Sequence, residues 1–346
     1  MKNPRRLLWL ISLIVLLLLI PFIVPSPVMS PDAGAESVYD APDVYDVPAY
    51  VPVELENPDA ELPDLPKGTS SVAALKKQTP WLPYPDKYVR DEAGNLTGYV
   101  DGTISVRVEE KVLQGTKVLF TWVQIADANQ FRTAVNGRYP NVSDVRPTNM
   151  AKELRAVLAI NGDYFTDHNF GVIYRNGNKI RRSKFGELDA LIIDFDGNFH
   201  ILKAPSLADF DAYEGQIMHS FVFGPGLVID GEMQTFGKER QRMNVHERHQ
   251  RQILCQMDEL SYLIISTEGP EQTDQLGGFT VVEAAQLAYD CGAKQAYNLD
   301  GGSSTWLLLD NTRINNLGSK NMRYLIDMIY FTTADTGNTA TDEKKK

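Results

Sequence analysis

Cysteine is scarce in this chain: Cys255 and Cys291 are the two cysteines in 346 residues. Two cysteines cannot form the set of bridges that stabilises a small disulfide-rich secreted domain, so that class of protein is excluded. Both lie in apolar segments that suit a protein core. Two buried free thiols are therefore favoured over one disulfide, although a bridge stays possible outside the cytoplasm.

Lysine and arginine are absent from residues 26–66, which contain eight prolines and ten aspartate or glutamate residues. Such a segment cannot bury enough apolar surface to offset the entropy lost on ordering it. We predict an acidic, proline-rich, disordered linker over residues 26–79. Because this segment carries most of the formal net charge of −11, the folded part is only mildly acidic. It has no basic patch of the kind that binds nucleic acid.

The chain has one long hydrophobic run, the 18 residues from Leu7 to Val24, and three basic residues precede it. The run is long for a cleaved signal peptide and just long enough to span a bilayer. Residues 1–25 are therefore predicted to be a single-pass signal anchor, a transmembrane helix that holds the body of the protein outside the cytoplasm. Secretion after signal cleavage is the alternative.

Short strand patterns and few helical ones fill the region from about residue 80 to residue 334. The predicted strands are 103–112, 116–125, 156–160, 221–229, 252–257, 261–266 and 325–333. Asn176-Gly177 and Asp196-Gly197 predict two hairpins, and Pro147 is expected to start a helix. These patterns predict an α+β domain with a mixed β-sheet core over residues 80–334, followed by a disordered tail over residues 335–346.

One helix has clear signals at both ends. Thr280 suits the N-cap, Glu283 completes a capping box, and Gly292 follows the last turn. This helix connects the strand that ends at Ser266 with the strand that ends at Leu299. The spacing predicts a strand–helix–strand crossover between two parallel neighbours, with active groups at their carboxyl ends.

A carboxylate followed by glycines ends the last of these strands, in Ala-Tyr-Asn-Leu-Asp-Gly-Gly-Ser-Ser-Thr, residues 296–305. The strand would hold Asp300 rigidly, and Gly301 and Gly302 would let the backbone approach a ligand. The N–H groups of this loop, together with Ser303 and Ser304, suit an oxyanion. The same composition is also typical of an ordinary hairpin turn.

Three other strand boundaries carry polar residues. Asn161 and Asp163 follow one strand, Arg251 precedes another, and Glu268 ends a third, while Asn298 lies just before Asp300. Each of these residues alone is more typical of a turn or a cap than of a catalyst. Together, the four boundaries indicate a site at one edge of the sheet.

Five segments occur in an order that resembles the phosphodiester glycosidase family. They are residues 156–165, 171–177, 223–228, 296–305 and 314–316. The resemblance covers roughly residues 104–333 and is strongest over 156–333. It implies a hydrolase that splits a sugar-1-phosphodiester, in an envelope glycan or exopolysaccharide, into the sugar and a phosphomonoester.

The resemblance also implies roles for individual residues, and we expect neither a metal nor a cofactor. The candidate catalytic carboxylates are Asp300 and Asp163, with Glu268 as a third. The expected substrate-binding groups are Arg251, facing the phosphate, and Asn161, Asn298, Gly301, Gly302, Ser303 and Ser304. A carboxylate suits a reaction in which the sugar develops oxocarbenium character, and an arginine suits the phosphate.

The chain departs from the family pattern in two places. Asp300 is followed by two glycines where the family commonly has three, and Glu268-Gly269-Pro270 replaces an Asp-Gly-Arg-like turn. These departures support an alternative, a catalytically silent protein that binds a cell-wall or capsular polysaccharide. His246 and His249 have the spacing of metal ligands on a helix, but the arginines around them favour a solvated surface.

Overall fold

The computed structural model describes residues 45–55, 80–236, 245–269, 277–315 and 323–335 of the chain. These residues belong to one compact unit that begins at Asp43. The predicted anchor over residues 1–25 and the predicted tail beyond residue 335 lie outside the described residues, as does most of the predicted linker. No helix within the described ranges is long and apolar enough to cross a membrane.

Strands dominate the unit and helices are few, which confirms the α+β class. The strands are β1 Tyr88–Arg90, β2 Leu96–Val100, β3 Ile104–Leu113, β4 Thr116–Ile125, β5 Phe131–Val135, β6 Gly137–Arg138, β7 Asn141–Val142, β8 Leu158–Asn161, β9 Val172–Arg175, β10 Asn178–Arg182, β11 Ala190–Asp194, β12 Phe199–Leu202, β13 Ile217–Phe221, β14 Gly226–Ile229, β15 Glu232–Met233, β16 Gln252–Asp258, β17 Ser261–Thr267, β18 Gln295–Asn298, β19 Leu307–Leu309, β20 Thr312–Arg313 and β21 Asp327–Phe331. The helices are α1 Pro147–Glu153, α2 Leu207–Asp211 and α3 Val281–Asp290.

Two large sheets pack face to face and enclose the central core. One sheet has the strand order β1-β2-β3-β4-β17-β16-β18-β14-β15, and the other has the order β20-β19-β8-β21-β5. The smaller sheet β12-β11-β13 completes the second layer. Alternate side chains of these strands, such as Leu254, Tyr297 and Ile329, fill the space between the layers. The ends of β8 and β18 meet at one edge of the two layers, where the Asn161 amide donates to the Asp300 carbonyl.

Helices cover the outer faces of the two layers. Helix α3 lies on the nine-stranded sheet and buries Ala284, Leu287 and Ala288 against it. Helix α1 covers the outer face of the five-stranded sheet with Met150 and Leu154. Burial of these apolar stripes supplies most of the stability of such short helices.

The predicted signals of helix α3 are confirmed, but the predicted sheet topology around it is not. The Thr280 hydroxyl accepts a hydrogen bond from the Glu283 N–H at 3.1 Å, and Glu283 Oε2 accepts from the Thr280 N–H at 2.8 Å. Strands β17 and β18 run in the same direction but are not neighbours, because β16 lies between them and pairs antiparallel with both. Every pairing among the described strands is antiparallel, so the expected mixed sheet and adjacent parallel pair are wrong.

The hairpins at Asn176-Gly177 and Asp196-Gly197 are confirmed. The strand predicted over 221–229 is instead two strands, β13 and β14, which belong to different sheets. The chain turns between them at Gly224, whose carbonyl accepts a hydrogen bond from the Asn298 amide at 2.8 Å. This turn brings β14 beside β18.

Residues 45–55 fall within the predicted linker, yet they contact the sheet. Tyr45 is buried next to Phe279, and the Tyr50 ring stacks on Trp122 with centroids 5.5 Å apart. They lie on the same face as helix α3, over β4. We call residues 45–55 the strap. It covers apolar sheet surface that a second helix would otherwise have to cover.

Candidate active site

Asp300 follows strand β18 and lies at the edge where the two layers meet. Its side chain is 13% exposed. Burial raises the pKa of Asp300 to about 6, and the charge of Asp163 adds to the rise. Hydrogen bonds from Ser304 and the Gly301 N–H, together with the charge of Arg323, oppose it. A carboxyl group that titrates near neutral pH in a partly open position is a candidate for catalysis.

The glycine loop is shaped by close backbone packing. An added Cβ at Gly301 would lie 2.5 Å from the Gln250 carbonyl oxygen, so the position has no room for a side chain. Gly302 has a φ of +58° and donates its N–H to the same carbonyl at 3.0 Å. The N–H groups of Ser304 and Thr305 donate within the turn. Most of the N–H groups that we predicted would bind an oxyanion therefore bond inside the protein.

Two asparagines hold the backbone around this loop. Asn161, at the end of β8, donates from Nδ2 to the Asp300 carbonyl at 2.7 Å and accepts at Oδ1 from the Trp306 N–H at 3.1 Å. It thereby joins the edge of the five-stranded sheet to that of the nine-stranded sheet. Asn298 is 1% exposed, and its Nδ2 donates to the Gly224 carbonyl. Their predicted contact with substrate stays a prediction.

Arg323 is the cation beside Asp300. Its Nη1 lies 4.0 Å from Asp300 Oδ2 and 3.3 Å from the Ser304 hydroxyl. The guanidinium carbon lies 5.0 Å from the centre of the Tyr164 ring. The Arg323 side chain is 47% exposed, so its remaining N–H groups can reach a ligand. Tyr164 has a φ of +49°, a strained value for an aromatic residue and one that is common at functional sites.

A buried ion cluster lies behind Asp300. Arg175 Nη2 contacts Asp163 Oδ1 at 2.5 Å and Asp327 Oδ2 at 2.9 Å, and all three side chains are almost fully buried. Asp163 Oδ2 also accepts the Val222 N–H at 2.7 Å. Burial and then the charge of Asp163 raise the pKa of Asp327, while Arg175 opposes the rise. Asp163 is thus placed to act on Asp300 through its charge, and its predicted catalytic role stays a prediction.

The Arg251 guanidinium points into the protein. Nε donates to the Phe279 carbonyl at 2.8 Å, and Nη2 donates to the Glu247 carbonyl at 2.7 Å. Burial lowers the pKa of Arg251 to about 10, against the charges of Glu247 and Glu283, so the group stays protonated at neutral pH. Residue 251 is 7% exposed. The structure gives Arg251 two backbone contacts, and its predicted contact with phosphate is left to experiment.

Glu268 directly follows β17, two strands away from Asp300 across β16. Neighbouring strands lie about 4.8 Å apart, so the two positions are roughly 10 Å apart. Glu268 is 6% exposed, and its charge raises the pKa of Lys117 and opposes the lowering of the pKa of Arg313. Its predicted role as a third carboxylate also stays a prediction.

The described residues contain no group of three His, Cys, Asp or Glu side chains that could hold a metal ion. The arrangement at Asp300 consists instead of a partly exposed carboxyl group, an exposed guanidinium and a buried ion cluster. That combination suits cleavage of a bond to an anionic leaving group.

Sequence reasoning missed Arg323, Tyr164, Asp327 and Arg175. Arg175 did leave a signal, since an arginine occurs in the otherwise apolar strand β9 just before the Asn-Gly turn. Tyr164 follows Asp163 directly in one of the segments that carry the family resemblance. Arg323 and Asp327 had no local signal, because the fold alone brings them to Asp300.

The domain matches the model of the phosphodiester glycosidase family over residues 154–332, just over half of the chain. The chain belongs to that family. The match includes Asp300, Arg323 and the Arg175 cluster.

Two relatives illustrate the similarity. The SPbeta prophage-derived uncharacterized protein YomE of Bacillus subtilis (strain 168) is 25% identical over 195 residues, which are 54% of this chain and 29% of YomE. The chain thus spans less than a third of that curated relative. The zebrafish N-acetylglucosamine-1-phosphodiester alpha-N-acetylglucosaminidase catalytic domain, auto-inhibited by its pro-peptide, superposes with a TM-score of 0.54 at 18% identity. That superposition covers 71% of this chain and 87% of the zebrafish chain, and it shows a shared fold.

The raised pKa of Asp300 predicts how stability changes with pH. Because the folded protein holds this proton more tightly than the unfolded chain, the stability linked to it is full below about pH 4 and is lost as the pH rises through about 6. Asp300→Asn should therefore gain stability relative to wild type between pH 4 and pH 7, by on the order of 3 kcal/mol. Urea unfolding over this pH range measures the difference. Asp196→Asn, at an exposed turn, is the control, and a difference that does not vary with pH would contradict the assignment.

Proposed function

We propose that this protein hydrolyses a sugar-1-phosphodiester, releasing the sugar and leaving a phosphomonoester. The observation that supports the proposal most is the pair formed by Asp300 and Arg323, a partly exposed carboxyl group 4.0 Å from an exposed guanidinium, within the family domain. The zebrafish relative carries a name that describes this class of bond.

Asp300 supplies the carboxylate of the proposed reaction. The bond between the anomeric carbon and the phosphate oxygen breaks with its electrons on the phosphate, and positive charge builds on the sugar ring. An ionised carboxylate stabilises or attacks that centre, and water then supplies the hydroxyl group of the released sugar. The proton from water passes to the phosphate or to solvent.

Arg323 supplies charge for the leaving group. A phosphate leaves as an anion, so it needs charge neutralisation more than a proton. Arg323 is half-exposed and lies over the Tyr164 ring, beside Asp300. Asp163 and Arg175 set the electrostatic field behind Asp300 and touch no substrate in this scheme.

Asp300→Asn should fold and lose on the order of 10²–10⁴ in turnover of a sugar-1-phosphodiester. Because the ionised form is the active one, kcat/KM of the wild type should rise with pH through about 6 and level off above it. Steady-state rates from pH 4 to pH 8 measure both effects. A kcat/KM that falls through pH 6 would instead assign Asp300 the role of a general acid, and equal rates for variant and wild type would remove its catalytic role.

Arg323→Gln and Arg251→Gln separate the two candidate phosphate contacts. Arg323→Gln should slow phosphodiester cleavage at least tenfold but affect an aryl glycoside, which carries no phosphate, much less. Arg251→Gln should lower the unfolding free energy, because two carbonyls lose their donor, and slow both substrates alike. The opposite pattern would return the phosphate contact to Arg251.

The site of action is proposed to be outside the cytoplasm, on an envelope glycan or exopolysaccharide, with residues 1–25 as the anchor. The basic flank and the hydrophobic run from Leu7 to Val24 support this topology. Protease added to intact cells should cleave the chain N-terminal to the domain and release its body. Full protection of the body in intact cells, with cleavage only after lysis, would overturn this location.

A catalytically silent polysaccharide-binding protein is the second candidate. It is favoured by one observation: Gly302, Ser304 and Thr305 donate their N–H groups inside the protein. Glycan binding by the full-length chain without turnover of any phosphodiester would select this alternative.

A further inference from the structure

Arg181, on strand β10, carries a buried charge that no carboxylate of the described residues contacts directly. The residue is 8% exposed. Its Nη1 donates to the carbonyls of Phe165 and His168, both at 2.6 Å, and its Nη2 donates to the carbonyl of Phe170. Its Nε–H has no hydrogen-bond partner. Carbonyl oxygens satisfy donors, but they do not cancel the cost of burying a full positive charge.

The neighbouring ion cluster does not supply the missing negative charge. The charge of Asp163 opposes the lowering of the pKa of Arg181 by burial. The two oxygens of Asp163, however, accept hydrogen bonds from Arg175 and from the Val222 N–H. Burial raises the pKa of the other carboxylate, Asp327, and so favours its uncharged form. Both carboxylates of the cluster therefore contact Arg175, and within the described residues neither of them contacts Arg181 directly.

A cavity of about 440 Å³ lies beside Arg181. Besides Arg181, its walls include groups that can donate hydrogen bonds: the hydroxyls of Tyr139, Ser143, Tyr164 and Thr166 and the amide of Asn169. Asp144 also lines it, but that residue is exposed, where water screens its charge. A buried cation with several neutral donors around an open space is the arrangement that binds an oxyanion.

The cavity adjoins the proposed reaction centre. Tyr164 lines the cavity, and the guanidinium carbon of Arg323 lies 5.0 Å from the centre of the Tyr164 ring. That guanidinium in turn lies 4.0 Å from Asp300 Oδ2. A substrate with its scissile phosphate at Arg323 would therefore place its next unit near the Arg181 cavity.

We propose that the Arg181 cavity binds a second oxyanion of the substrate, a phosphate ester or a carboxylate, next to the bond that is cleaved. The substrate class is then an acidic glycan with repeating negative groups, rather than a single sugar on a neutral alcohol. The substrate part rests on the proposed function, whereas the anion site itself does not.

Inorganic phosphate, titrated into the full-length protein by calorimetry, tests the site. The background variant is Arg323→Gln, so that phosphate bound at Arg323 does not contribute. Arg181→Gln in that background should weaken phosphate binding at least tenfold, because the anion loses the positive charge beside the cavity. Arg182→Gln is the matched control, because Arg182 is the next residue, is exposed and pairs with Asp211. It should leave the phosphate affinity unchanged.

Arg181 also orders the loop over residues 165–170, so its loss could unfold the domain. Thr166→Trp provides the second variant, since it fills the cavity and leaves the guanidinium and its three carbonyl contacts in place. It should also abolish phosphate binding, with an unchanged circular dichroism spectrum. Absence of phosphate binding in the Arg323→Gln background, or equal affinity with and without Thr166→Trp, would overturn the proposal.

Competition with a hexose 6-phosphate and with a hexuronic acid shows which oxyanion the cavity prefers. Turnover then separates the two proposals. Phosphate binding that depends on Arg181, without hydrolysis of any phosphodiester, supports the anion site and removes the proposed function. The substrate class has its own test, with phosphodiesters that carry a second negative group and phosphodiesters that lack one. If both are hydrolysed and Thr166→Trp changes both rates equally, the function is supported and the substrate class is overturned.

Discussion

The contact of Arg175 with two carboxylates is the interaction on which the rest of the site depends. One guanidinium nitrogen holds Asp163, from the turn after β8, and Asp327, at the start of β21. Nη1 of Arg175 also donates to the Ser220 carbonyl on β13 at 2.5 Å. Arg175 itself lies on β9, in the two-stranded sheet β10-β9. The two-stranded, three-stranded and five-stranded sheets thus meet at one fully buried side chain. Removing one member of such a buried set typically costs about 3–5 kcal/mol, because the others are left charged and unpaired.

Much of the fold could be predicted from the sequence where a local rule applied. Strand β4 shows a long β-branched and aromatic run, helix α3 has a capping box, and both Asn-Gly and Asp-Gly turns form hairpins. Strand β5 was missed because it is buried on both faces and carries Arg132 and Thr133 inside, which hides any alternation. Strand order was not predictable either, since the insertion of β16 between β17 and β18 depends on pairing between distant segments.

The site, like the fold, has a part that local sequence patterns predict and a part that depends on tertiary packing. A carboxylate at a strand end beside glycines is a local pattern, so Asp300 and its loop could be proposed from the sequence. The charged neighbours of Asp300, Arg323 and Asp163, come from elsewhere in the chain. Asn161 is 139 residues away, and its amide donates to the Asp300 carbonyl. Whether a polar residue at a strand end faces a substrate or another backbone is decided by tertiary packing, and two N–H groups of Arg251 donate to backbone carbonyls.

The strap over residues 45–55 has a consequence for where the folded domain begins. Tyr50 lies on Trp122, and Tyr45 is buried against the same sheet face. A chain cut at residue 80 would keep every strand but would present this aromatic patch to water. Exposed aromatic surface on a sheet promotes self-association. A fragment that keeps this patch covered therefore starts before Tyr45, although the sequence from 26 to 66 has the composition of a spacer.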